Sequence, residues 1–126
     1  MPHLTLEYSA NVREKKDFSE LFSRLHTVLE DVAGATRMSC KSRARAAEQF
    51  YVADGATSHA FVHLDIRLLV GRTAEAKKQL GARALALLKE WFADSVAKLA
   101  LQITVEVRDI DLTFYSKHPE GTLPKH

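Results

Sequence analysis

Residues 60–73 read AFVHLDIRLLVGRT, and their alternation decides the fold. Ala60, Val62, Leu64, Ile66 and Leu68 fall on one side of an extended chain, while Phe61, His63, Asp65 and Arg67 fall on the other. The pattern predicts a strand over 60–70 with one face in a core and the other polar. Gly71-Arg72-Thr73 then breaks the period. Thr73 is a suitable helix N-cap, and Leu80, Ala84, Leu87, Leu88, Trp91 and Ser95 make a mostly apolar helical stripe behind it. Gly81 is a mild weakness inside that stripe. Leu101 to Val107 alternates again, and a short segment, Leu112 to Tyr115, precedes a tail with Pro119, Gly121 and Pro124 that is expected to be irregular.

The same order of elements stands upstream. His3 to Tyr8 alternates, with Leu4 and Leu6 on one face and His3, Thr5 and Glu7 on the other. From Asp17 the period changes: Phe18, Leu21, Phe22, Leu25, Val28, Leu29 and Val32 recur at helical steps, Asp17 with Glu20 suggests a capping box, and Gly34 supplies a stop. Lys41 to Val52 reads as a less regular extended segment closed by the turn signal Asp54-Gly55. His3-Leu4-Thr5-Leu6-Glu7 is echoed downstream by His63-Leu64-Asp65-Ile66-Arg67, consistent with pseudo-repeats over about 2–53 and 60–115. The predicted fold class is α+β: a single domain over 1–126 in which two βαβ units form a four-stranded sheet with two helices on one face. The other face and the edges stay uncovered, which implies a homo-oligomer.

A chain of 126 residues suits one domain. Eighteen Lys and Arg against sixteen Asp and Glu give a net charge of +2, and the charges are scattered, which argues against a nucleic-acid partner. The N-terminal region lacks the apolar segment of a signal peptide, and no apolar run reaches the length of a membrane span, so a cytoplasmic protein is expected. A single cysteine, Cys40, excludes an internal disulfide and suits a reducing compartment.

The chemistry-bearing candidates are few. His59 and His63 are four residues apart, but on a strand that spacing separates them by about 13 Å, so no shared metal is expected. The signatures of phosphate loops, nucleotide folds and serine hydrolases are missing. Proline at position 2 is tolerated at the start of a strand for structural reasons alone. Initiator methionine is commonly removed before a small residue, and its removal would leave Pro2 with a free secondary amine. Burial and nearby cations both lower the pKa of such an amine and make it a base near neutrality. Lys41, Arg43 and Arg45 alternate and share one side of an extended chain, either as a carboxylate-binding set or as a solvated face. Arg72 sits between Gly71 and the helix cap, where helix N-terminal amides add to its attraction for an anion. Cys40 followed by Lys41 is open to reading as a nucleophile or as an inert thiol.

On MPHLTLE at the start, on Lys41-Ser42-Arg43 and on ADGATSHAFVHLDIRLLVGRT over residues 53–73, the chain resembles the tautomerase superfamily, and within it the 5-carboxymethyl-2-hydroxymuconate Δ-isomerase family. The resemblance covers most of the chain, weakly in the first helix and the tail. It implies a cofactor-independent isomerase of aromatic-acid catabolism, assembled as a trimer and acting on a small carboxylate substrate, with no metal. Pro2 would be the general base and Arg72 the group that polarises the substrate. Lys41 and Arg43 would bind its carboxylates. Lys41 stands where the family usually has arginine, which keeps the charge and loses the planar fork. The alternatives are a non-catalytic anion-binding or interaction protein of the same fold, and a tautomerase or dehalogenase with another acid substrate.

Overall fold

The computed structural model describes residues 1–119. The main elements are β1 (His3–Ser9), α1 (Ser19–Ala33), β2 (Lys41–Ala47), β3 (His59–Leu69), α2 (Ala74–Trp91), α3 (Ala93–Lys98) and β4 (Ala100–Ile110), with 3-10 turns at Arg37–Ser39 and Leu112–Phe114. The strands form one sheet in the order β2-β1-β3-β4. Pairing is parallel within each half, β1 with β2 and β3 with β4, and antiparallel where the halves meet, β1 with β3. Each parallel pair needs a crossover, and α1 and α2 supply them.

The alternation read from residues 60–70 is realised: Ala60, Val62, Leu64 and Ile66 are fully buried and Leu68 nearly so, joined on the same face by Leu4 and Leu6 of β1. Leu21, Leu25, Val28 and Leu29 of α1, with Leu80, Ala84, Leu87 and Leu88 of α2, close the core from above. Among the described residues no α-helix lies on the opposite face. It presents His3, Thr5 and Glu7, then Lys41, Arg43 and Arg45, then His63, Asp65 and Arg67 in neighbouring rows. This is the uncovered face expected from the sequence.

Four local expectations change. Asp17 makes no capping box: its carboxylate accepts from the backbone N–H and hydroxyl of Ser19 at 3.1 and 2.8 Å, and α1 opens after Phe18 without a side-chain cap. The extended segment after Lys41 stops at Ala47, because residues 48–58 turn away from β1 and lose their ladder partner. The last strand runs three residues beyond Val107 because β3 offers pairing as far as Leu69↔Ile110.

The fourth change concerns Ser95, which does not belong to the second helix. The chain breaks at Phe92, and Ser95 lies buried in α3, donating to the Glu14 carboxylate and accepting from the Arg13 N–H. The Glu14 carboxylate also accepts from the Ser95 backbone N–H at 3.0 Å, so a distant loop satisfies the first turn of α3. Thr73 caps α2 as expected, accepting from the Ala76 N–H at 3.1 Å. The expected irregular tail lies outside the described residues from 120 onward. No helix among the described residues is long and apolar enough to cross a membrane.

Candidate active site

Pro2 is buried at the entrance of β1, and its carbonyl accepts from the Lys41 N–H at 3.1 Å, the first rung of the β1–β2 ladder. This rung brings the start of the chain beside β2. With Met1 attached, the Pro2 nitrogen is an amide. The free amine, on Met1, is held below its usual titration range by burial first and then by Arg72, with Lys41 and Lys117 acting in the same direction and Cys40 against them. The surroundings of the N-terminus are therefore half-buried and cationic.

Arg72 reaches this neighbourhood from the turn between β3 and α2. Gly71 before it has φ +123°, a backbone region that favours glycine, and this sets the direction from which Arg72 leaves the strand. The guanidinium donates from Nε to the Ala33 carbonyl at 3.1 Å and from Nη1 to the Leu69 carbonyl at 3.2 Å. It thereby also satisfies a terminal carbonyl of α1. Among the described residues Nη2 makes no hydrogen bond, so one edge of the fork is available to an anion.

Lys41, Arg43 and Arg45 do share the open face of β2, opposite His3, Thr5 and Glu7. Lys41 Nζ donates to the Ser39 carbonyl at 3.3 Å. Arg43 Nη2 donates to His3 Nδ1 at 3.1 Å, and His3 Nε2 lies 2.9 Å from the Tyr115 hydroxyl. Pro2, Arg72 and Lys41 are thus brought together at the chain start, and Arg43 lies one alternation further along β2 among other side chains. The fold also brings His3 and Tyr115 into this neighbourhood. His3 was legible only as a sheet-face residue next to Pro2, and nothing local marked Tyr115, which meets it after 112 residues.

A concavity of about 670 Å³ lies on the open sheet face, lined by His3, Arg43, Arg45, Arg67, Arg108 and Tyr115 among others. It shares His3 and Arg43 with the neighbourhood of Pro2 but does not include Pro2 or Arg72. His63, Asp65 and Glu106 also come together on this face, their ligand atoms within 4.8 Å of one another. Asp65 is already paired with Arg67 and Arg108, each at 3.0 Å, and His63 Nδ1 with the Thr104 hydroxyl at 2.6 Å. Two guanidiniums on the central carboxylate make this an ion-pair cluster, ill suited to a further cation. His59 is bonded to Asp54 at 2.9 Å. The Cys40 thiol is pushed up by burial, the larger effect, against the pull of the N-terminal amine and Arg37, which leaves it protonated and weakly nucleophilic.

The model of the 5-carboxymethyl-2-hydroxymuconate isomerase family matches residues 2–120. The chain belongs to that family. It is an isomerase of the tautomerase superfamily. The 5-carboxymethyl-2-hydroxymuconate Delta-isomerase of Escherichia coli is 28% identical over 117 residues, 93% of each chain. The crystal structure of a 5-carboxymethyl-2-hydroxymuconate isomerase from Deinococcus radiodurans R1 superposes with a TM-score of 0.84 at 32% identity, covering 92% of this chain and 87% of that one. A fused 4-OT symmetric trimer matches with a TM-score of 0.65 over 93% of this chain and 92% of that one. At 20% identity it shows the shared fold alone.

Proposed function

We propose that this family member isomerises 5-carboxymethyl-2-hydroxymuconate to its 2-oxo-enoate isomer without a cofactor, as a homotrimer, once Met1 has been removed. The observation that carries the reading is the setting of the chain terminus: a buried Pro2 at an end of the chain where burial, Arg72 and Lys41 hold the Met1 amine below its usual range. A neutral Pro2 amine takes the proton of the substrate 2-hydroxyl. As the C=O forms at C2, the double-bond electrons shift along the chain and a carbon receives the proton back from the ammonium. Arg72 presents its available edge to the developing oxyanion or to the adjacent carboxylate. Lys41 and Arg43 hold the remaining carboxylates. The family membership and the relatives in Escherichia coli and Deinococcus radiodurans support this substrate. The trimer is supported by two exposed edge strands, β2 and β4, and a charged sheet face that carries no α-helix among the described residues.

A second reading, an anion-binding protein without catalysis, is favoured by one observation: Arg72 spends two of its donors on main-chain carbonyls, a structural use. The test is an intact mass of the purified protein alongside an ultraviolet assay of 5-carboxymethyl-2-hydroxymuconate ketonisation. A mass lacking one methionine with turnover above the uncatalysed rate, abolished in Pro2→Ala while the oligomer persists, supports the isomerase. Turnover unchanged in Pro2→Ala removes Pro2 from the mechanism. A trimmed protein that binds the dienol without converting it makes the second reading the better one.

A further inference from the structure

Arg43 is a guanidinium with only donors, so its 3.1 Å contact with His3 makes Nδ1 the acceptor. The imidazole proton must then sit on Nε2, where it is donated to the Tyr115 hydroxyl at 2.9 Å. The opposite tautomer would set an N–H against an N–H. Cations face this imidazole from its neighbours: Arg43 and Lys41 on β2, Arg67 across β3, and the chain-terminal amine. The segment after the second 3-10 turn adds the neutral Tyr115 hydroxyl. Burial first, then Arg43, Lys41, the terminal amine and Arg67 in decreasing order, hold its pKa below the ordinary histidine value.

We propose that His3 is a positioning residue, whose Nδ1 lone pair orients the Arg43 guanidinium toward a substrate carboxylate, and that Tyr115 fixes the tautomer that makes the lone pair available. The inference rests on the reading of Arg43 as a carboxylate ligand. A long arginine side chain is otherwise free to sample many rotamers, and the cost of ordering it would fall on substrate binding. A neutral acceptor removes part of that cost without neutralising the guanidinium, as a carboxylate partner would. Protonation of His3 replaces the lone pair with an N–H and sets two cations side by side. Arg43 is then released, and affinity for a multiply charged acid falls while the proton transfer at Pro2 is untouched.

The test uses the Met1-free protein as wild type and as His3→Ala, His3→Asn and Tyr115→Phe. Steady-state kinetics and calorimetric binding of cis,cis-muconate, a non-isomerising dicarboxylate probe, are followed from about pH 5 to 8, the range in which histidine titrates. In His3→Ala both KM and the muconate Kd rise about tenfold, with kcat within about twofold of wild type, the size of effect set by one hydrogen bond to a charged group. Asparagine places an amide oxygen near the Nδ1 position without titrating. His3→Asn therefore recovers KM at neutral pH and loses the acid-side weakening of Kd seen in wild type. Tyr115→Phe falls between the two.

The proposal is overturned if His3→Ala leaves KM and Kd unchanged, if it lowers kcat alone, or if His3→Asn keeps the acid-side weakening. Muconate binding that depends on His3 without any turnover sustains the positioning role and removes the isomerase reading. A wild-type protein that does not bind muconate removes the anion site and the positioning role with it.

Discussion

The Nε of Arg72 lies 3.1 Å from the carbonyl oxygen of Ala33, so the turn that opens α2 is tied to the last residue of α1. The same side chain carries a structural load and the proposed electrostatic role, and substitutions separate the two. Arg72→Ala is expected to lower stability by about 1–2 kcal/mol through the two lost carbonyl partners and kcat/KM by about a hundredfold through the lost cation. Arg72→Lys keeps the charge and loses the fork, so it should recover part of kcat/KM and little of the stability. Urea denaturation read beside kinetics checks both, and full stability in Arg72→Ala would show that the carbonyl contacts contribute nothing.

A base at Pro2 works only when neutral, so the acid side of the pH profile reports its pKa. The Met1 amine at this terminus is lowered by burial and then by Arg72, and a Pro2 amine freed in the same setting is expected to be lowered by the same two causes. In the trimmed protein kcat/KM should fall as pH drops through a value below the ordinary α-amine pKa of about 8 and stay flat above it. A limb centred above that value would mean that the amine is neither buried nor beside cations in the active assembly.

The His26 imidazole on α1 lies 2.7 Å from the Ser42 hydroxyl on β2. Burial, and then Arg37, hold it below the ordinary value of 6.5, against a smaller pull from Glu30. The unfolded chain therefore binds a proton more readily than the folded one. Stability is full above about pH 6.5 and falls as pH drops through the window down to the lower folded value. His3 acts in the same direction. The urea midpoint should decline on acidification from about pH 7 to 5, and His26→Asn should make that decline shallower. The same slope in both proteins would clear His26 of any part in it.

Ser95 is fully buried and is held on both sides, by the Glu14 carboxylate and by the Arg13 N–H. Ser95→Ala leaves a part-buried carboxylate oxygen of Glu14 and the Arg13 N–H without this partner at once, with an expected loss of about 1–3 kcal/mol. Denaturant unfolding measures it, and a loss below about 0.5 kcal/mol would mean that water replaces the hydroxyl.

Gly81 sits inside α2, where an added Cβ would lie 3.8 Å from Val107 Cγ2, an ordinary contact. Gly81→Ala should raise stability by about 0.5–1 kcal/mol by restraining the unfolded chain and improving helix propensity. A lower melting temperature in the variant would mean that α2 shifts against β4 to accept the methyl group.

The sequence by itself determined the period of each main element. The alternation over 60–70, the three- and four-residue steps of α1 and the Thr73 cap are local patterns, written in neighbouring residues that respond to the same backbone geometry. It also marked Pro2, Arg72, Lys41 and Arg43 by residue type and position. The tertiary structure decided how those elements register against one another. A one-residue slip between β1 and β2 would send His3 and Arg43 to opposite faces, and the observed pairing His3↔Lys41 keeps them on one. It also decided that Asp17 turns on Ser19 instead of boxing the helix, that Glu14 satisfies α3, that Arg72 spends two donors on Ala33 and Leu69, and that Tyr115 returns to His3. These contacts join residues far apart in the chain. Their geometry depends on how the whole core packs, which no local period records.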